Sequence, residues 1–207
     1  MPVSIAMAAS ALSFPVVLIV ASRGGRDAVA RVLESLPVDL HAAVVLVQHR
    51  AELPGRAWAD MVRRLTALPV KEIQRGEALK PGVVYLAPAT THVSIEAGGF
   101  FKLTDGTRIR GVLSSANPLF ESAGRHLGRR AIAVVLTGYG RDATDGVQAV
   151  KSGGGIVIAQ NEETSRDFGM PSSAIATGAV DYVRPLDDIG PLIRELVGQP
   201  EVPAPTS

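Results

Sequence analysis

The sequence predicts an α/β protein: a doubly wound, mainly parallel sheet with helices on both faces and an antiparallel edge hairpin. Three observations carry this. The runs Val16–Val20, Ala42–Val47 and Ile132–Leu136 are apolar at every position rather than alternating, as strands covered on both faces must be. Between such runs, apolar residues recur at helical spacing, as at Val29, Val32, Leu33 and Leu36. Strands and helices alternate along the chain, which builds right-handed βαβ crossovers.

The elements follow in order. Val16–Val20 is a buried strand, broken by Ala21-Ser22, and Gly24-Gly25 allow a tight turn before a helix from Arg26. Leu36-Pro37 ends that helix. Ala42–Val47 is the second strand, with Gln48-His49 at its carboxyl end. Pro54–Leu65 reads as a helix on the spacing of Trp58, Met61, Val62 and Leu65. Val70–Ile73 and Val83–Leu86 are short strands flanking the Pro81-Gly82 turn. His92–Glu96 and Phe100–Leu103 alternate about Ala97-Gly98-Gly99 and read as a hairpin. A polar loop, Thr104–Asn117, leads to a helix over Pro118–Leu127. The strand Ile132–Leu136 runs into Thr137–Asp142 and a helix with Val147 and Val150 inward. Ile156–Ala159 is a strand, Pro171–Thr177 a short helix and Ala179–Val183 a last strand. Ile189, Leu192, Ile193 and Leu196 line a closing helix.

Composition narrows the function. The 207 residues suit one domain, with 46% hydrophobic and 20% charged residues. A net charge of +1 points away from a nucleic-acid or acidic-membrane partner, and 4% aromatic residues argue against base-stacking platforms. The chain has no Cys, which removes disulfides, thiol catalysis and Cys-ligated metal. No His/Asp/Glu cluster has metal-ligand spacing, so neither a metal nor a cofactor is expected. Residues 1–14 are small and apolar but carry no Lys or Arg, so they lack the basic start of a signal peptide. Pro and Ser interrupt them below membrane-spanning length. They read as an N-terminal extension to a domain over 15–198, in a cytoplasmic protein without membrane insertion. Residues 199–207 contain Pro200, Pro203 and Pro205 and read as a disordered tail.

Three polar groups follow the ends of buried strands: Ser22, His49 and Asp142. In a parallel sheet these ends share one edge, where α/β proteins bind ligands. A serine hydroxyl is a weak nucleophile at neutral pH. It needs an imidazole to take its proton and a carboxylate to orient that imidazole. The plainer alternatives are that Ser22 and Asp142 cap helices and that His49 merely ends a strand. Among the four His, however, only His49 directly ends a long apolar strand; His41, His92 and His126 do not. Asp145 competes for the carboxylate role but lies one turn into a helix, facing away from the strand end.

A second pattern points elsewhere. Gly138-Tyr139-Gly140-Arg141-Asp142-Ala143 fits G-x-G-x-x-A between strand and helix. Glu162 or Glu163 follows about twenty residues on, as a dinucleotide fingerprint requires. The pattern is short and begins past the middle of the chain, leaving too little sequence for both mononucleotide halves, so nucleotide binding ranks second.

From about Val16 to Leu196 the chain resembles the catalytic domain of CheB-type protein-glutamate methylesterases. The resemblance is carried by Ala21-Ser22-Arg23-Gly24-Gly25, Val47-Gln48-His49, Tyr85-Leu86-Ala87-Pro88 with His92, and Leu136–Asp142. It continues through Ala159-Gln160-Asn161-Glu162 and Phe168-Gly169-Met170-Pro171. It implies a serine hydrolase that converts glutamate methyl esters on chemoreceptor-like helical proteins to glutamate and methanol, with glutamine deamidation as a companion activity. It implies a triad at Ser22, His49 and Asp142, and a Tyr139 backbone N–H facing the oxyanion. Arg23, Gly24, Gly138 and Gly140 join Tyr139 as candidate oxyanion or substrate-binding positions. The partners implied are a methylated chemoreceptor and, since 207 residues leave no room for the family's N-terminal receiver domain, a separate receiver protein.

The sequence departs from the family at two places. Val20 and Arg23 stand where Gly-Ala-Ser-Thr/Ala-Gly-Gly has its first Gly and the small residue after Ser. Gly111–Asn117 stands where the family has Arg-His-Arg-Pro-Ser-Val-Asp, losing basic residues and an acid expected to meet substrate. Arg23 is expected either to donate to the oxyanion or to narrow the ester pocket. The alternative to an active esterase is therefore a degenerate or re-targeted homologue acting as a binding module.

Overall fold

In the computed structural model, residues 12–49, 55–105, 108–109 and 111–198 are described. The N-terminal extension through residue 11, Pro54 of the second expected helix and the tail 199–207 lie outside them. Phe14 is buried in the core, and Leu12 packs beside Gly99, so the end of the expected extension is part of the packed domain.

The strands are β1 (Val16–Ala21), β2 (Ala43–Gln48), β3 (Val70–Glu72), β4 (Val84–Leu86), β5 (Thr91–Glu96), β6 (Phe100–Asp105), β7 (Ala131–Val135), β8 (Ile156–Gln160) and β9 (Tyr182–Arg184). The helices are α1 (Gly25–Glu34), α2 (Gly55–Arg63), α3 (Asn117–His126), α4 (Thr144–Ser152), α5 (Gly169–Ile175) and α6 (Leu186–Gly198). Seven strands form one parallel sheet in the order β3-β4-β2-β1-β7-β8-β9. Both faces are covered, which explains the uninterrupted apolar runs. Val17, Ile19, Val44, Leu46 and Val134 pack beneath α1, α2 and α6. Leu18, Val20, Val45, Ala133 and Val135 pack beneath α3, α4 and α5.

The hairpin is present, but it does not extend the edge of this sheet. β5 and β6 form their own antiparallel pair. The Ile95 N–H donates to Ser122 Oγ on α3 at 2.9 Å, and the Phe101 N–H donates to the Glu77 carbonyl at 2.8 Å. Val93, Ile95 and Phe101 thereby join the core on the α3 side. Docking on α3 buries these side chains.

From β1 the chain winds outward through α1 to β2, and from β7 it winds the other way through α4 to β8. β1 and β7 are neighbours, so their carboxyl ends flank the point where the winding reverses. In open α/β sheets such a switch point is where ligands bind.

Candidate active site

Ala21 and Gln48 are the last register pair of β1 and β2, so Ser22 and His49 leave the sheet side by side. The His49 N–H donates to the Ala21 carbonyl at 2.9 Å. The buried Gln48 amide ties the two exits together, donating from Nε2 to the Ser22 carbonyl at 2.9 Å and to the His49 carbonyl at 3.1 Å. A Cβ on Gly25 would lie 2.5 Å from Gln48 Oε1 and 2.6 Å from the Ala21 Cβ, so only glycine admits this clamp. Gly24, at φ 77°, is the N-cap of α1, in the left-handed region that favours glycine. Ser22 is therefore not the helix cap that its position also suggested.

The third strand end is held by its own bonds. The Ser22 N–H donates to the Thr137 carbonyl at 3.0 Å, and the Thr137 N–H donates to Oε1 of the buried Gln160 at 2.8 Å. Thr137 Oγ1 accepts the Asp167 N–H at 2.9 Å, tying the loop before α5 to the same point. Gly138 was expected among the oxyanion or substrate-binding positions. Its N–H is already donated to the Asp167 carbonyl at 2.9 Å. Its contribution is space: a Cβ there would lie 2.8 Å from the Ser22 Cβ and collide with the Met170 sulfur. Gly140 takes φ 93°, and the exposed Tyr139 between the two glycines donates no backbone hydrogen bond among the described residues.

Asp142 is 4% exposed and faces inward. Ser115 Oγ donates to its Oδ1 at 2.5 Å, the Ala116 N–H to its Oδ2 at 2.7 Å and Asn117 Nδ2 to Oδ1 at 3.4 Å. His49 Nε2 lies 2.8 Å from Oδ2. That is ion-pair distance, but the ring N–H does not point along it, so Nε2 lacks an aligned hydrogen bond. Such contacts tighten when substrate binds. Burial pushes the Asp142 carboxyl up. The contact and charge of His49, with the Ala116 N–H and Ser115 hydroxyl, outweigh burial and hold it below the ordinary carboxylate range. The next residue, Ala143, caps α4 at φ 73°, the one non-glycine with positive φ among the described residues. A left-handed alanine costs about 1–2 kcal/mol, spent here on turning Asp142 off the helix axis and into the site. Asp142 is thus no helix cap, and Asp145 is exposed on the first turn of α4.

Arg23 is drawn to Asp167 and Tyr139. Its Nη1 lies 3.4 Å from Asp167 Oδ2, and its guanidinium carbon sits 5.2 Å from the centre of the Tyr139 ring. The segment Gly111–Asn117, which lacks the charges expected to meet substrate, supports Asp142 from its second half. Ser114–Asn117 are buried, and Ser115–Asn117 cradle Asp142. Asn117 Oδ1 further accepts the Gly146 N–H at 2.9 Å.

That last bond bears on the dinucleotide reading. Two backbone donors around this turn are engaged within the protein, the Gly146 N–H of α4 with Asn117 Oδ1 and the Gly138 N–H with the Asp167 carbonyl, which withdraws both from a pyrophosphate. Glu162 and Glu163 are exposed beyond β8. Packing against Ser22 and Met170 requires Gly138, and turn geometry favours Gly140 at φ 93°, so both glycines of the G-x-G-x-x-A pattern have a structural role here.

Comparison with known proteins settles the family. The CheB methylesterase family model matches residues 17–193. The chain belongs to the CheB methylesterase family. A Myxococcus xanthus protein-glutamate methylesterase/protein-glutamine glutaminase is 44% identical over 184 residues, covering 87% of this chain and 53% of that protein. The Pyrococcus horikoshii relative of the same description is 40% identical over 176 residues, covering 84% and 48%. This chain thus spans about half the length of the curated relatives it matches. The crystal structure of the Thermotoga maritima CheB methylesterase catalytic domain superposes with a TM-score of 0.85 at 37% identity, over 90% of this chain and all of that one.

Sequence reasoning missed the support of this CheB-family site: Gln48, Thr137, Gln160, Ser115, Asn117 and Asp167. Gln48 and Gln160 carry a faint signal, an amide closing an apolar strand. Asp167 and Ser115 carry none, because the contacts that tie them to the site, with Thr137 and Asp142, span 30 and 27 residues.

Proposed function

We propose that this chain is a serine hydrolase of the protein-glutamate methylesterase type, its catalytic domain spanning residues 15–198, with Ser22 as nucleophile, His49 as base and Asp142 as orienter. The observation that carries the reading is the ionised, four-partner Asp142 set 2.8 Å from His49 Nε2, with His49 leaving β2 beside Ser22. With Nε2 turned to Asp142, Nδ1 remains for proton transfer with Ser22.

In the proposed reaction Ser22 Oγ attacks the side-chain ester carbonyl of a methylated glutamate, and its proton passes to His49. The Tyr139 N–H stabilises the oxyanion. The tetrahedral adduct expels the methoxy group, which takes the proton from His49 and leaves as methanol. Water, deprotonated by His49, cleaves the acyl-serine and releases glutamate. A glutamine side chain follows the same path, releasing ammonia. The substrate is a methylated helical signalling protein of the chemoreceptor type in the cytoplasm. The pairing of Arg23 with Asp167, which gives the guanidinium a partner other than the ester site, favours an active site over a blocked binding module.

The test is methanol release from a methylated receptor fragment, alongside hydrolysis of a small activated ester, with Ser22→Ala as control. Turnover lost by several orders of magnitude in Ser22→Ala, and phosphonate labelling at Ser22 in the wild type, are expected. Full activity in the variant, or labelling elsewhere, rejects the mechanism. No protein turnover with intact ester hydrolysis rejects the receptor substrate alone.

A further inference from the structure

We propose that His92 is a positioning residue for Asp142, acting through Ser115 by accepting a hydrogen bond at Nδ1; the inference rests on the reading of Asp142 as the orienter of His49. His92 lies on β5, outside the parallel sheet, and is 6% exposed. The Ser115 N–H donates to its Nδ1 at 3.2 Å. An imidazole nitrogen that accepts is unprotonated, so this bond assigns the ring proton to Nε2.

The consequence runs through three consecutive residues. Ser115 gives its N–H to His92 and its Oγ to Asp142 Oδ1. Ala116 gives its N–H to Asp142 Oδ2, and the Asn117 N–H bonds back to Ser115 Oγ at 3.2 Å. The backbone orientation at Ser115 therefore sets two of the donors that hold Asp142 ionised and aimed at His49. Without an acceptor at the His92 Nδ1 position, a buried N–H is orphaned. The turn must then rotate to satisfy it, carrying the Ser115 hydroxyl and the Ala116 N–H away from the carboxylate. The β5–β6 hairpin thus carries a group that orders a site on the far sheet edge. A rigid acceptor contributed by a separately packed element is a means of holding a carboxylate within the tolerance that proton transfer demands.

Side-chain isosteres test this. Asn places its Oδ1 where His carries Nδ1, whereas Gln places its amide nearer the Nε2 position. Ester hydrolysis by full-length His92→Asn should stay within about threefold of wild type. His92→Gln and His92→Leu should lose roughly 10–100-fold in kcat, with KM changed less than about threefold and Ser22 phosphonate labelling slowed in parallel. In an Asp142→Asn background, His92→Gln should have no further effect on kcat, because it acts through that carboxylate. Equal kcat for Asn and Gln at equal folded fraction, or an undiminished effect in the Asp142→Asn background, overturns the proposal. The Asn–Gln comparison decides if His92→Leu does not fold. If Asp142→Asn is itself fully active, the reading of Asp142 fails. If Asp142→Asn is impaired while His92→Gln is not, only the role of His92 fails.

Discussion

Arg23 pairs with Asp167, Nη1 to Oδ2 at 3.4 Å, with the Tyr139 ring beneath its guanidinium. These contacts hold the exposed guanidinium of the residue that follows Ser22. An ion pair whose Arg side chain is 65% exposed is weak, about 0–1 kcal/mol, so it directs Arg23 without stabilising the fold much.

Arg23 should therefore matter for large substrates more than small ones. Arg23→Thr is expected to leave kcat/KM for a small activated ester within about threefold of wild type. KM for a methylated helical fragment should change by more than that, since the guanidinium meets only a substrate that crosses the rim. Parallel kinetics on both substrates check this. A loss of a hundredfold or more on the small ester would put Arg23 in the reacting centre.

The two carboxylates of the β7–α4 connection should separate cleanly. Asp142→Asn keeps the shape but not the charge facing His49, and is expected to lower kcat by on the order of 10⁴, as for buried triad carboxylates in general. Asp145→Asn, on the exposed face of α4, should stay within about twofold. Equal losses would overturn the assignment of Asp142.

Acid should erode the same interaction. The Asp142 carboxyl sits below its ordinary value of about 3.9 in the folded protein. A depressed folded value means that ionised Asp142 stabilises the fold fully above the unfolded value, and that this contribution fades as pH falls through the folded one. The stability difference between wild type and Asp142→Asn, from urea melts at stepped pH, should be constant from neutrality to about pH 5 and shrink below pH 4. A difference that does not vary with pH would exclude this linkage.

Gly138 should tolerate no side chain. Gly138→Ala brings a methyl group against the Ser22 Cβ and the Met170 sulfur. Overpacking of this kind costs about 1–3 kcal/mol. A nucleophile shifted by about 1 Å loses on the order of a hundredfold in rate. Thermal melts with ester kinetics on the folded fraction separate the two effects. Wild-type activity with unchanged stability would show that the loop has slack at this point.

The sequence by itself determined the layers and the edge of the site. Runs apolar at every position allow only a sheet covered on both faces, and parallel strands bring Ser22, His49 and the loop holding Asp142 to one edge whatever their order. Those are consequences of local periodicity, which the chain carries residue by residue. Tertiary structure decided what periodicity does not encode: which strand neighbours which, and what surrounds each polar group. The hairpin reads as an edge feature because alternation reveals an exposed face but not the α3 surface that covers the other. Ser115 and Asn117 read only as part of a polar loop because nothing local shows a carboxylate 25 or 27 residues later closing on them. Gly138 reads as a phosphate-loop glycine because the fingerprint records the absence of a side chain, not whether a phosphate or Met170 and Ser22 occupy the space. Hydrogen bonds and close contacts between distant segments depend on the packed arrangement of the whole sheet, and that arrangement sets Asp142 2.8 Å from His49, which leaves β2 beside Ser22.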